Sequence, residues 1–519
     1  MRQRITYIQK PHAPFSPTQT TLTPESLQIQ NLDAAREERL TVGVDEVSNE
    51  LRDVLRNIHE IHIRWASEKG FESASPIVSR VSAGLHVSVT PGEGMGGLES
   101  EAVCRLLKEV FDERLGCESV EKSFITPPIL SRRFASTAAY QFYESLPSLE
   151  NLVTYIQQKL CGRGDRECSR RAGLILSADS LDVNYDSISH ALTISGFWSS
   201  PPGEEGWTET IGKYASGTDK VEVALLGADK ASDPEDIKMG GLLAVVGSDQ
   251  ELKPTMFSFP ARHHPLPEDA GYSVSFSSPA GLHPTMTISM ARSALEQTPG
   301  RPDAACALHT YLTLPASVFG DKYQLSTTDP LFLKSNNLVA LRAVAGETDL
   351  EAPDWFVLRW GSNWLLELAS PTESDPASDE WNVTIPLHLR YLNPSESGYR
   401  TASIPWPVVF WACTAEEGTK MSMNPFDRVN LGWDGLFGPR TMFYQLHPSP
   451  SQEGTLVEQL DVPVLALKED GVFGSRTIEL GTVAVITLGF LWVLWKLGLV
   501  ARSSGINPQR KIDKRDKAE

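Results

Sequence analysis

Catalysis or metal binding would begin at histidines, carboxylates and cysteines, and each such grouping in this chain meets a chemical obstacle. His59-Glu60-Ile61-His62 is one residue short of HExxH, so its imidazoles would not share the helix face that zinc needs. The start of a strand with two surface histidines is the better reading. Arg262, His263 and His264 precede Pro265 and could hold an anion, or simply form a loop with exposed imidazoles. The glycine-rich run TPGEGMGGLES (90–100) precedes a helix, but it lacks the lysine of a P-loop and carries carboxylates that would repel phosphate. No GxSxG elbow or GxGxxG turn stands in a strand-turn-helix context. The expectation is therefore a chain with no catalytic residues, no cofactor and no metal. A net charge of -19 also lacks the basic footprint of a nucleic-acid binder.

Six cysteines, Cys104, Cys117, Cys161, Cys168, Cys306 and Cys413, contain no CxxC pair. Cys161 and Cys168 enclose the polar loop GRGDRE and could close as a disulfide in an oxidising compartment; free or buried thiols are the alternative. Arg163-Gly164-Asp165 inside that loop matches the integrin tripeptide, a pattern common by chance. Asn382-Val383-Thr384 is an N-glycosylation sequon, whereas proline blocks Asn393-Pro394-Ser395.

The elements that would carry these residues fall into stretches of different character. Residues 1–40 are rich in Pro, Thr and Gln and read as irregular. Residues 41–165 read as mixed α/β: a helical period in 45–60 runs into the alternating IHIRWAS, HVSVT (86–90) is a strand, and 99–116 and 148–162 are amphipathic helices. Residues 166–276 and 277–446 carry short β-rich runs between turn signals, the pattern of a sandwich-like all-β domain. Within the second of these, IPWPVVFWAC (404–413) reads as a buried strand after a rigid entry, or else an apolar docking surface. Residues 447–477 read as a connector.

Residues 478–500 form an apolar run long enough to cross a bilayer as a helix, with Trp492, Trp495 and a snorkelling Lys496 toward one end. The tail 501–519 is net +3, leaving -22 for the rest of the chain. Basic residues beside a membrane helix favour the cytosol, which places the large N-terminal part in a lumen. The N-terminus lacks the apolar stretch of a signal peptide, which argues the other way; the sequon sides with the lumen.

The second half carries a resemblance. SSPAGLHPTMTISM (277–290), CALHTYLTLPASVFGDKYQL (306–325), IPLHLRYLNPSESGYRTASIPWPVVFWAC (385–413), MNPFDRVNLGWDGLF (423–437) and the terminal apolar helix together resemble the PIG-X family over roughly residues 277–500. That resemblance implies an endoplasmic-reticulum membrane protein with a large lumenal domain, one C-terminal helix and a cytosolic tail. It also implies a non-catalytic role, stabilising the polytopic, PIG-M-like catalytic subunit of the glycosylphosphatidylinositol (GPI) mannosyltransferase that adds the first mannose to the GPI precursor. General lumenal folding factor and tail-anchored cytosolic adaptor are the competing readings. In the HLRY element, strand alternation puts His388 and Arg390 on one face and Tyr391 on the other. Gly481, Ala484, Thr487 and Gly489 offer small residues for close approach by a partner helix.

Overall fold

The computed structural model describes residues 1–92, 96–128, 140–161, 165–214, 219–277, 281–373, 375, 378–419, 421, 426–428, 430–450, 454–467 and 475–504. The chain divides into two compact units, Met1–Tyr391 with Thr401–Leu460, and Leu392–Arg400 with Asp461–Glu519.

The first unit is built on strands. Its largest sheet has ten, in the order Lys253–Pro260, Asp236–Val245, Lys220–Asp229, Arg2–Gln9, Ala34–Gly43, Ala191–Trp198, Ser180–Asp186, Ile58–Ala66, Gly84–Pro91 and Tyr140–Glu144. Residues 1–40 are thus not irregular, as their composition suggests. Arg2–Gln9 pairs parallel with Lys220–Asp229 and antiparallel with Ala34–Gly43, in the middle of the sheet. Ser26–Leu32 pairs with Trp207–Gly212 in a second, three-stranded sheet. The boundaries expected at 40 and 165 therefore divide no separate bodies, because sheet pairing stitches across them.

Strand Ala34–Gly43 contains Arg36-Glu37-Glu38-Arg39, four charges that a local reading sends to solvent. Arg36 is instead fully buried, its guanidinium 5.0 Å from the ring centres of both Trp198 and Trp207. It pairs with Glu38 at 2.8 Å and Glu209 at 3.2 Å. Tyr7 donates its hydroxyl proton to the same Glu209, and Arg171 reaches Glu38. Buried charge is tolerated here because each ion meets an opposite one and two π faces.

A six-stranded sheet runs His263–His264, Thr441–Gln445, Val408–Thr414, Cys306–Pro315, Gly361–Leu368 and Leu338–Gly346. Its central strands are buried on both faces, which is why Val408–Thr414 reads as continuously apolar. IPWPVVFWAC is accordingly core, not a docking surface. In the four-stranded sheet, Gly271–Phe276, Thr285–Ala291 and Glu380–Pro386 alternate, with one face buried. The second half is thus the β-rich domain that its runs predict, with short α-helices at Lys322–Leu325 and Pro330–Asn336 among the described residues. The latter starts at a Pro capped by Asp329 and stops at Asn337 in the left-handed region (φ 53°). The expected connector 447–477 contributes His447–Pro448 and Val457–Pro463 as strands.

The mixed α/β character of 41–165 holds, with shorter helices than the periodicity suggests: Asn49–Leu55, Gly97–Val110 and Glu150–Tyr155. His59 and His62 lie in strand Ile58–Ala66, bonded to Ser187 and Asn184.

In the second unit, Ser395 N donates to Leu465 O and Val464 N to Gly398 O. One helix, Ser475–Ser504, follows; its stretch Arg476–Arg502 spans about 40 Å at 1.5 Å per residue. Its residues 476–502 are exposed. Thr482 and Thr487 satisfy their hydroxyls on the carbonyls one turn back. Lys496 lies over Trp492 and Trp495 at 5.8 and 5.4 Å. The expected basic tail begins at the helix end, and 505–519 lie outside the described residues.

Candidate functional site

His388 and Leu389 pair with Val318 and Phe319 in a two-stranded ribbon. His388 stacks on the Phe319 ring (5.3 Å between ring centres), and the Arg390 guanidinium lies 4.3 Å from the same ring. Tyr391 is 67% exposed, opposite them as alternation requires. His388 also meets His283, Nδ1 to Nδ1 at 3.0 Å. Burial, then the neighbouring His283, lowers the pKa of His388. Among the described residues no three His, Cys, Asp or Glu side chains come together as a metal site.

Arg390 is 3% exposed and acts as a clamp. Its Nη1 donates to the carbonyls of Asp349 and Ala352, at 2.6 and 2.8 Å. Burial lowers its pKa, against the opposing pull of Glu347, Asp349 and Asp354. The clamped segment is stiffened from within: Asp349 Oδ1 accepts from the backbone of Glu351 and Ala352, and Asp354 N donates to Tyr391 O at 3.0 Å. At its far end the Trp360 indole donates to Gln141 O at 2.9 Å. Between these anchors the loop holds Trp355, Phe356 and Leu358 outward at 56%, 75% and 68% exposure, beside Tyr391. An ordered crest of large apolar side chains is what a binding surface presents. His388, Arg390 and Tyr391 stand out in the sequence, whereas this crest does not. Its only local signal is DWFVL, an apolar run set in a Pro- and Asp-bearing loop.

The other singled-out residues lie apart from this site. Asn382 projects outward from the edge strand Glu380–Pro386, while Thr384 donates to Asn336 at 2.7 Å. Cys161 and Cys168 are joined as a disulfide. Cys104–Cys117 and Cys306–Cys413 are joined too, so no cysteine is free among the described residues. The last of these bridges facing residues of neighbouring strands. Arg163 and Gly164 lie outside the described residues. His263 and His264 are buried, stacked on Phe443 and Tyr444, and desolvation lowers the pKa of both. Neither the exposed loop nor the anion cluster expected there is present, because the segment adds a strand beside Thr441–Gln445.

On the helix, Gly481 and Gly489 have nothing within 4 Å of where a Cβ would stand, leaving them open to another helix.

The family model described as PIG-X / PBN1 matches residues 279–498, a span that holds the clamp, the crest and most of the helix. "Protein pbn1" of Emericella nidulans is 72% identical, with all of both chains covered. The protein of the same name in Neurospora crassa is 40% identical over 98% of this chain and 97% of its own. "Protein PBN1" of Saccharomyces cerevisiae is 29% identical over 44% of this chain and 49% of its own. With relatives so similar from end to end, the chain belongs to the PIG-X / PBN1 family.

Proposed function

We propose that this chain is a non-catalytic, stabilising subunit of the endoplasmic-reticulum GPI mannosyltransferase that adds the first mannose. In this reading it holds a polytopic, PIG-M-like catalytic subunit. The observation that carries the reading is the aromatic crest clamped by Arg390 within the family-matched segment. A crest of Trp355, Phe356, Leu358 and Tyr391 on a braced loop suits a protein that grips another protein. The small residues Gly481 and Gly489, open at the Cβ position, suit close approach by a partner's helices.

The large unit is lumenal and the tail cytosolic in this proposal. Support comes from three disulfides, which belong to an oxidising compartment, from the basic tail and from the exposed sequon at Asn382. The same disulfides weigh against a cytosolic adaptor. A general folding factor would also use an exposed apolar crest, but for many clients.

The test replaces Trp355 and Phe356 together by Ala in the full-length protein. The variant is expected to accumulate normally while the catalytic subunit and GPI-anchored proteins fall several-fold. Unchanged levels of both would overturn the proposal. Loss of association with many unfolded clients instead would favour the folding factor. Protease protection of sealed microsomes, read with endoglycosidase sensitivity at Asn382, checks the orientation: digestion of the large unit would refute it.

A further inference from the structure

A cavity of about 710 Å³ opens in the first unit, between the segment 69–73 and the strand end at His447–Ser449. Its volume is that of a small-molecule site. The two walls are held close: a Cβ on Gly70 would stand 3.0 Å from Pro450, and Lys69 bridges to Thr455 as an isolated β-pair.

At the base lies Arg80, 8% exposed. Its Nη2 donates to Phe71 O at 2.5 Å and the guanidinium sits 4.4 Å from the Phe71 ring. No carboxylate comes within ion-pair distance of it among the described residues, and its Nε and Nη1 donate to no protein group. In the large sheet, by contrast, buried arginines meet carboxylates, as Arg36 and Arg64 do. Arg80 has a π face and one carbonyl, which offset part of its desolvation but supply no negative charge. Burial pushes its pKa down to about 10, and the more distant Tyr272, Asp179 and Glu72 offset only part of that cost.

The other charges around the cavity define the ligand. Lys69 is exposed and makes no ion pair among the described residues; His447 gives its Nε2 to Leu266 O, and burial lowers its pKa. Glu72 and Glu268 stand exposed at the rim as acceptors. A base that donates and a rim that accepts fit a molecule with an oxyanion at one end and hydroxyls at the other. We propose that this cavity binds a phosphate ester flanked by hydroxyl groups, with Arg80 on the phosphate and Glu72 and Glu268 on the hydroxyls. A soluble sugar phosphate and a hydroxyl-bearing phospholipid headgroup share that chemistry.

The test measures the melting temperature of the full-length protein in detergent with glucose 1-phosphate, with dihexanoyl phosphatidylglycerol below its micellar concentration, or with inorganic phosphate. A bound ligand at 100 times its Kd raises stability measurably. A rise with either of the first two supports the proposal and identifies the source. It should vanish in Arg80→Gln and in Ser73→Trp, which adds bulk to the cavity wall while leaving the Arg80 residue itself unchanged. Lys69→Ala should weaken binding about tenfold, the size of one charge-assisted hydrogen bond. No rise with either ester, a rise that survives Ser73→Trp, or an equal rise with inorganic phosphate would each overturn the assignment.

Discussion

Replacing Asp182 by Asn isolates the energetic cost of one buried charge. Asp182 lies in strand Ser180–Asp186, 6% exposed, with Arg64 at 2.5 Å on one oxygen and Arg428 at 2.8 Å from the other. Both guanidiniums are themselves largely buried, at 5% and 13% exposure. The Arg428 contact is ionic without hydrogen-bond alignment, since Asp182 Oδ2 lacks a hydrogen-bond partner. Burial alone would raise the carboxyl's pKa; Arg428 and Arg64 pull harder, and the net direction is down. Asn keeps the volume and one acceptor but removes the charge, leaving two cations facing each other. Breaking a buried pair in this way costs about 3–5 kcal/mol. The large unit has roughly 450 residues, so its unfolding entropy is about 1 kcal/mol per degree. A cooperative melt should therefore fall by about 3–5 °C at pH 7. Because the folded pKa lies below the unfolded one, this stability is present above about pH 4 and lost as pH drops further. The difference between parent and variant should shrink there. Replacing Arg64, Asp182 and Arg428 together by Met, Leu and Met should recover most of the loss. A single variant melting within about 1 °C of the parent at pH 7 would refute the reasoning.

Arg390→Lys should loosen the 347–360 loop, because an ammonium lacks the planar guanidinium that lies on the Phe319 ring while its Nη1 bonds the carbonyls of Asp349 and Ala352. Limited proteolysis within that loop should accelerate, with a stability loss of about 2–3 kcal/mol. Asp427 runs opposite to Asp182: burial pushes its pKa up to about 6, against the pull of Arg262. Its folded pKa exceeds the unfolded value, so stability falls as pH rises from about 4 to 6, and Asp427→Asn should raise the melting temperature at pH 7.5 by relieving up to about 3 kcal/mol. Removing Cys306–Cys413, which closes a loop of 107 residues, by the double Ser variant should cost about 2–5 kcal/mol in denaturant titration.

The parts of this protein legible in its sequence are those whose cause is local. The membrane helix shows because sixteen uncharged residues, Leu480 to Trp495, run without interruption. The strands after 170 show because period-two alternation is written within each run. Arg2–Gln9 was hidden because its reason for being a strand lies at Lys220–Asp229. Arg36 was hidden because its neutralising partners arrive from Glu209 and Arg171, on separate segments. At the candidate site, alternation placed His388, Arg390 and Tyr391 correctly about Phe319. The crest stayed invisible because exposure of Trp355 and Phe356 depends on a clamp some forty residues away.

The parallel pairing of Arg2–Gln9 with Lys220–Asp229 also sets a clock on biosynthesis. Strand Arg2–Gln9 lies inside the largest sheet, yet one of its two neighbours is made more than 200 residues later. At about 5–20 residues per second, that edge waits roughly 10–40 s with its backbone donors unpaired. Meanwhile Ala34–Gly43 can zip only the other side. The nascent chain must therefore pass through a stage with an open, apolar strand edge, exposed to aggregation until residue 229 has emerged.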